Sequence, residues 1–282
     1  MFKKSLYMKM FVAPIIEVNE DVLKLLSPNS YTRREDLERQ ITQVAELDRR
    51  NWVVIPREFS GREYQLIVDP ARLSYNPAVE RAGRELGLEL KNTAEDSLGR
   101  EFVGYLNWFE SLKINTTLGN ATLEMNDFDD YGKLLFLGMN GEINVYNVAG
   151  KQIDERNLRC YFEDIFKIKG PWRAEWIDAD FKTKGTGLYI NSNRIQISRP
   201  LSGNTLMVDR RISLTDFLLR NHTKQGLPTK NVKSGELHYE YPRSDNNSVV
   251  RFITNSGRTG LDCGRVPSYR FSNLGVRAVR HG

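Results

Sequence analysis

The chain has 282 residues, of which 40% are hydrophobic, 27% charged and 10% aromatic, and its formal net charge is +5. This composition is typical of an ordered protein with a sizeable core, in one large or two small domains, and it excludes a disordered chain. No apolar run approaches the roughly 20 residues that a membrane-spanning helix requires, which excludes a membrane span.

The N-terminal stretch MFKKSLYMKMFVAPIIEV begins with basic residues, as a signal peptide does. Lys9 and Pro14 interrupt its apolar part, and no small-residue cleavage site follows. An extended strand is therefore expected here rather than a signal peptide. The pattern leaves the compartment open, either cytoplasmic or displayed at a surface.

Apolar residues at helical spacing predict that the first 170 residues are mostly helical. Pro77 suits the first turn of one helix, and Phe102, Leu106 and Phe109 share one side of another. The predicted helices are 33–50, 77–86, 94–114, 126–138 and 155–168, with short strands at 51–56 and 63–69 and small hairpins around 143–148.

The remainder of the chain is predicted to be almost entirely strand and turn. One short helix interrupts it at 213–221, where Ser213 and Asp216 have capping-box spacing. The predicted strands are 170–182, 187–191, 194–198, 206–211, 235–242, 248–255, 260–264 and 274–280. Helices first and strands afterwards indicate an α+β fold, an irregular antiparallel sheet with flanking helices.

Motifs of enzymes are missing from the sequence. The three histidines, His222, His238 and His281, have neither metal-ligand spacing nor a nearby carboxylate in sequence. Cys160 and Cys263 lie far apart and are expected to be buried thiols rather than a disulfide or metal site. No catalytic residue, metal or cofactor is therefore predicted.

Two other groups of residues allow a second interpretation. Asp127, Asp129 and Asp130 could bind Ca²⁺, but the glycine and distal glutamate of a calcium loop are missing, so a helix N-terminus is favoured. Trp172 and Trp176 could stack on a ligand, although core packing is favoured for them. Asp178 and Asp180 could act as a paired acid and base.

Positive charge is concentrated at the C-terminus. From residue 243 onward there are seven arginines and only two acidic residues, Asp245 and Asp262. The excess of positive charge in this segment, +5, equals the formal net charge of the whole chain. Such a segment could bind nucleic acid, but arginines spaced along strands more often pair with carboxylates or carbonyls, which is the interpretation favoured here. The seven arginines are Arg243, Arg251, Arg258, Arg265, Arg270, Arg277 and Arg280.

The two strands at 248–255 and 260–264 have one coherent face and one incoherent face. Period-two alternation places Phe252, Thr254, Leu261 and Cys263 on the core side. The opposite side, which is expected to be open, mixes a hydrophobe, a charge and glycines that weaken a strand. Its residues are Ile253, Asn255, Asp262 and Gly264, with Gly257 and Gly260 in and beside the turn.

Residue usage in the same region is unusual. Residues 244–282 contain no Lys, Glu, Gln, Met or Trp, although these types are common in the rest of the chain. They are the five amino acids that cannot be reached when the first two bases of an AAC codon are randomised and the third is kept. All residues of the open face can be reached in this way.

These residues carry a resemblance to a known family. GLPTK at 226–230, YPRSDNNSV at 241–249, the pattern L-x-C-x-R-x-P from Leu261 and the closing LGVRAVR resemble the variable proteins of diversity-generating retroelements, most closely the archaeal, Nanoarchaeota-type group. LNWFESL at 106–112 and GPWRAEWIDADF at 170–181 are similar to the framework of that group.

The resemblance implies a C-type-lectin-like fold for residues 96–282, with a variable region at about 244–282. Residues 1–95 would be an N-terminal α/β segment packed onto that domain or part of it. In this family a reverse transcriptase copies a template repeat with errors at adenines, and the copy replaces the 3′ end of the gene. The calcium-dependent sugar motifs of animal C-type lectins are absent, so calcium and sugar binding are not implied.

Carried over by position, the resemblance divides the tail into variable and framework residues. Thr254, Ser256, Thr259 and Arg270 could belong to either set. The framework would comprise Phe252, Arg258, Leu261, Cys263, Arg265, Pro267 and residues 274–280. The variable, ligand-binding positions would be Ile253, Asn255, Gly257, Gly260, Asp262, Gly264, Val266, Tyr269, Phe271 and Asn273.

The function implied is non-enzymatic binding of a protein or surface ligand by this variable site. Tyr269 and Phe271 would give contact area at small entropy cost, and the glycines would leave a hollow. One alternative is a nucleic-acid-binding protein that uses the arginine-rich tail and stacks bases on the same two rings. Another is an enzyme of the formylglycine-generating branch of the lectin fold, which would need Cys160 and Cys263 to cooperate.

Overall fold

The computed structural model describes residues 49–61, 64–193 and 198–282. Within these residues a large and mostly antiparallel sheet has helices on both faces, which confirms the predicted α+β class. The predicted N-terminal strand, most of the helix at 33–50 and most of the strand at 194–198 lie outside the described residues.

The elements follow in chain order. The strands are β1 (Val53–Ile55), β2 (Leu66–Arg72), β3 (Lys91–Glu95), β4 (Glu101–Gly104), β5 (Ala121–Thr122), β6 (Arg173–Lys184), β7 (Gly187–Asn191), β8 (Arg199–Pro200), β9 (Arg210–Ile212), β10 (Leu237–Glu240), β11 (Ser248–Thr254), β12 (Thr259–Arg265) and β13 (Leu274–His281). The helices are α1 (Arg57–Ser60), α2 (Pro77–Glu85), α3 (Trp108–Thr117), α4 (Met125–Met139), α5 (Glu155–Phe166) and α6 (Leu214–Leu219).

The main sheet has the order β1-β2-β13-β6-β11-β12-β10-β9, with β5 beside β13 and β7 and β8 beside β6. Pairing is antiparallel except between β13 and β6 and between β10 and β12. The last strand therefore lies inside the sheet, between a strand from near residue 70 and the long strand β6. The C-terminal strands β11 and β12 are interior strands of the same sheet.

The inner face of β11 and β12 packs on α4 and α5. Phe252 contacts Phe128 of α4 and Phe166 of α5 at ring-centroid distances of 5.0 and 5.1 Å. Leu261 and Cys263 are fully buried in the same core. The prediction that Phe252, Leu261 and Cys263 point into the core is confirmed. Side chains at every second position of a strand share one face, and here that face packs on the helices.

Four buried charged side chains fix β13 between β2 and β6. Arg277 donates from Nε to Glu175 Oε2 at 3.1 Å, and Arg72 donates from Nη1 to Asp164 Oδ2 at 2.7 Å. Burial opposes ionisation of Asp164, but Arg72 and Arg277 outweigh it and hold the pKa of this carboxyl well below its ordinary value. These pairs link β2, β13 and β6 with α5 at a depth where removing one partner would leave an uncompensated buried charge.

The prediction of one long helix at 94–114 is wrong. Residues 91–104 form the hairpin of β3 and β4, which turns at Gly99 with a φ of 75°. The helix begins only at Trp108, because Asn107 and Glu110 form a capping box: Asn107 Oδ1 accepts from Glu110 N at 3.0 Å and Glu110 Oε2 accepts from Asn107 N at 2.9 Å.

Other predicted elements keep their type with shifted ends. The helices at 126–138 and 155–168 are Met125–Met139 and Glu155–Phe166. The strand predicted at 206–211 is shorter and later, Arg210–Ile212, and the preceding Met207 and Val208 are exposed. Among the described residues, none of the helices is both long enough and apolar enough to cross a membrane.

Candidate recognition surface

The outer face of β11 and β12, opposite Phe252, is covered at its centre. Ile253 is 2% exposed and packs with Trp108, Trp176 and Leu274. The expectation that this face is open is therefore wrong at Ile253. The reason is that α3 and residues 266–273, called the C-terminal loop below, fold over the strands and replace water against this side chain.

Backbone hydrogen bonds join the C-terminal loop to the segment that leads into α3. Tyr105 N donates to the carbonyl of Phe271, and Trp108 N donates to that of Pro267, both at 3.0 Å. Two indoles attach the segment to the sheet: Trp108 Nε1 donates to Ile177 O and Trp176 Nε1 to Leu106 O, each at 2.9 Å. The loop thus rests on a rigid support.

Large aromatic side chains face solvent on this support. Tyr105 is 52% exposed, Phe109 51% and Phe271 43%. The edge of Phe271 meets half-buried Trp172, with ring centroids 4.3 Å apart and planes at 71°, and Tyr269 lies parallel to Phe271 at 6.5 Å. We call these five residues the aromatic surface. Tyr105 and Phe109 were not among the predicted site residues; their position beside the tail depends on long-range folding.

Tyr269 is held by two arginines that share one carboxylate. Its ring lies 4.9 Å from the guanidinium carbon of Arg251 and 4.9 Å from that of Arg265. Asp262, which is 1% exposed, accepts from Arg251 Nε at 2.9 Å and from Arg265 Nη2 at 2.7 Å. Asp262 was expected to contact ligand, but it is buried and instead positions the groups around Tyr269.

The glycines of the predicted variable set differ in the space around them. At Gly257 an added Cβ would meet only Asn255 Oδ1 at 3.5 Å, an ordinary contact. At Gly260 and Gly264 it would lie 3.3 Å from the carbonyl oxygens of His238 and Tyr241 respectively. The expected hollow is therefore open to larger side chains at Gly257 and narrow at the other two positions.

The remaining predicted positions are half-buried and hold local structure. Asn255 Oδ1 accepts from Gly257 N at 2.7 Å and from Arg258 N at 2.8 Å, which closes the hairpin turn. The carbonyl of Asn273 accepts from Ala174 N at 2.8 Å, so this residue ties the loop to β6. Val266 begins the C-terminal loop, where its carbonyl accepts from Tyr269 N at 3.1 Å.

All seven arginines of the tail have partners within the protein. Arg258 pairs with Glu240 at 3.3 Å, and Arg280 Nε donates to Asn120 Oδ1 at 2.7 Å. Arg243 pairs with Asp245, and Arg270 with Glu110. Together with the buried pairs of Arg251, Arg265 and Arg277, these contacts support the interpretation of the tail arginines as structural residues.

One charged pair was missed by the sequence interpretation. His222 Nδ1 lies 2.9 Å from Asp129 Oδ2, although the residues are far apart in the chain. Burial raises the pKa of Asp129 to about 6, and the hydrogen bond that His222 donates to Asp129 raises the pKa of His222 above its ordinary value. The pair joins α4 to the segment after α6.

The other candidate groups have structural contacts. Asp127 Oδ2 accepts from Glu124 N at 3.2 Å as a helix cap, and Asp178 Oδ1 accepts from Asn193 N at 3.1 Å. Cys160 and Cys263 are free thiols. Cys263 is buried, which raises the pKa of its thiol, but Cys160 is only half-buried, so the prediction of two buried thiols is wrong for Cys160. Across residues 49–61, 64–193 and 198–282, no three His, Cys, Asp or Glu side chains are placed to hold a metal ion together.

The chain matches no protein-family model, no curated protein and no solved structure.

Proposed function

We propose that this chain is a non-enzymatic ligand-binding protein whose recognition site is the aromatic surface and the exposed part of the C-terminal hairpin. We further propose that it is a variable protein of a diversity-generating retroelement with a C-type-lectin-like fold. The observation that carries the proposal is the exposure of Tyr105, Phe109 and Phe271 on two segments that backbone hydrogen bonds join beside the tail.

The chemistry of this area is that of a protein-recognition site. Exposed tyrosine, phenylalanine and half-buried tryptophan supply large contact area with few rotatable bonds, and such rings dominate binding energy at interfaces. Arg270 lies over the Tyr105 ring at 6.0 Å and adds a cation beside the apolar contacts. The ligand would be a folded protein or another surface that offers apolar groups.

The placement of the tail agrees with variation at some of its positions. Gly257 and Phe271 are exposed, and Val266 and Tyr269 are half-buried, so their side chains can change with limited repacking. Ile253, Gly260 and Asp262 are buried, so their neighbours restrict which side chains can replace them. Diversity would thus be concentrated at the loop and the hairpin turn.

The aromatic surface is favoured over nucleic-acid binding as the route of recognition. Affinity for nucleic acid depends on cations that neutralise phosphates, and each tail arginine already has a partner in the protein. If the alternative held, a fluorescein-labelled 20-mer of single-stranded DNA would bind more tightly than it binds lysozyme, another basic protein, at 150 mM NaCl, with affinity falling steeply as salt rises.

Two yeast-display libraries of the full chain test the proposal. One randomises Gly257, Val266, Tyr269 and Phe271, and the control randomises Tyr146, Val148, Ala149 and Lys151, a set that is exposed throughout and also contains tyrosine and valine. Both are selected against biotinylated lysozyme and serum albumin. We expect specific binders from the first library at least tenfold more often; equal yields would contradict the proposal.

A further inference from the structure

Asp262 occupies a carboxylate-binding site built by its own neighbours. Its Oδ2 accepts from Arg251 Nε at 2.9 Å and from Arg265 Nε and Nη2 at 3.0 and 2.7 Å. Its Oδ1 accepts from Gly264 N at 3.1 Å. Four N–H groups therefore converge on one carboxylate, the arrangement by which proteins bind carboxylates of ligands.

The two arginines of this site also contact the Tyr269 ring, a contact that does not involve Asp262. Arg251 is 4% exposed and stays between β11 and the Tyr269 ring, and its Nη1 is a buried donor without an acceptor among the described residues. The Arg265 side chain is 29% exposed, so the cluster reaches solvent on that side. A buried guanidinium with a spare donor favours an anion strongly.

The charges around the cluster do not replace Asp262. Glu240 pairs with Arg258 at 3.3 Å and is partly exposed, and burial and then Asp262 raise its pKa. Asp262 therefore supplies the negative charge that pairs with both Arg251 and Arg265. Without it two guanidinium groups would lie beside the Tyr269 ring with no carboxylate between them.

We propose that Asp262 determines the ligand class of the recognition surface. In this chain the aspartate occupies these N–H groups from inside and offsets part of the charge of the two guanidinium groups, and the surface binds uncharged, apolar groups. With a small neutral residue at position 262, the same N–H groups bind the carboxylate of an external ligand. This inference deepens the proposed function and rests on it, because it assigns a role to one of the proposed variable positions.

Asp262→Ala tests the inference, with acetate as the probe and Asp245→Ala as the matched control. Asp245 also pairs with a tail arginine, but at the surface, where its side chain is 41% exposed. Thermal melting is followed from 0 to 100 mM sodium acetate with total ionic strength held constant by chloride. We expect a saturable rise in Tm of several degrees for Asp262→Ala and none for wild type or Asp245→Ala.

An equal response of all three proteins, or no response of Asp262→Ala, would overturn the inference. If Asp262→Ala does not fold in chloride, it is refolded in 100 mM acetate: folded protein in acetate alone supports the inference, and failure in both salts overturns it. The result is separable from the proposed function, because the display libraries leave Asp262 unchanged and the acetate experiment requires no macromolecular ligand.

Discussion

Ile253 and Gly260 lie opposite each other on β11 and β12, and a Cβ at Gly260 would lie 3.4 Å from Ile253 Cγ1. Both are predicted variable positions, and neither reaches solvent. The size of one side chain therefore limits the size of the other. Variation on the outer face is coupled between strands at this pair, whereas Gly257 at the turn is free of such a limit.

We predict that the cost of enlarging Gly260 depends on residue 253. Gly260→Val should destabilise the protein by about 1–3 kcal/mol, because the new methyl groups press on Ile253 and on the carbonyl of His238. In an Ile253→Ala background the same change should cost at least about 0.5 kcal/mol less. Urea unfolding of the four proteins measures this coupling; additive effects would show that the two side chains do not meet.

Ile253 and Phe271 should respond to truncation in opposite ways. Ile253→Ala should cost about 2–5 kcal/mol of unfolding free energy because it leaves a cavity in a buried cluster that contains two tryptophans. Phe271→Ala should cost less than about 1 kcal/mol because its ring is 43% exposed. Phe252→Ala, about 3–5 kcal/mol, is the control for a buried phenylalanine of the same tail.

Chemical denaturation at pH 7 separates these cases. Comparable losses for Ile253→Ala and Phe271→Ala would contradict the division of the tail into a covered centre and an exposed loop. The same division means that replacing Ile253, Tyr269 and Phe271 together cannot leave stability unchanged, as it would if all three faced solvent.

The pH dependence of stability should report the pair of His222 and Asp129. The folded state holds the His222 proton at a pKa above the ordinary histidine value of about 6.5. The contribution of the proton is therefore present at pH 6.5 and is lost as pH rises through the folded-state pKa, whereas below about pH 6 Asp129 itself takes up a proton. The Tm gap between wild type and His222→Gln should be about 4–8 °C at pH 6.5 and much smaller at pH 9.

His238 provides the control for that measurement. Burial and Arg211 lower its pKa, so the linkage has the opposite sign, and the gap for His238→Gln should not narrow as pH rises. A gap for His222→Gln that is constant between pH 6.5 and 9 would show that the histidine is not charged in the folded state.

The sequence predicted the inner face of the tail because that face obeys a local rule. Phe252, Leu261 and Cys263 occupy every second position of their strands, and side chains two residues apart share a sheet face. Their common face can therefore be predicted without knowing where the rest of the chain lies. Ile253 was misplaced because its cover comes from Trp108 and Leu274, which approach only after long-range folding. A hydrophobe at that position was nevertheless a signal for a covered face.

The start of α3 and the pair of His222 and Asp129 were also not predicted correctly from the sequence. Phe102 and Leu106 have helical spacing but belong to a strand and a loop, and the capping box of Asn107 and Glu110 was the local signal for the true start of α3. The pair of His222 and Asp129 joins segments distant in sequence, which composition and periodicity do not detect.

The most direct test of the account is the DNA sequence beside the gene. We predict an imperfect repeat of the gene's 3′ end next to a reverse-transcriptase gene, differing from the coding copy only where the template has adenine. The differences should fall in the codons of Gly257, Val266, Tyr269 and Phe271, while those of Phe252, Leu261 and Cys263 stay identical. Differences spread equally over template adenine, cytosine, guanine and thymine, or found equally in the core codons, would contradict the account.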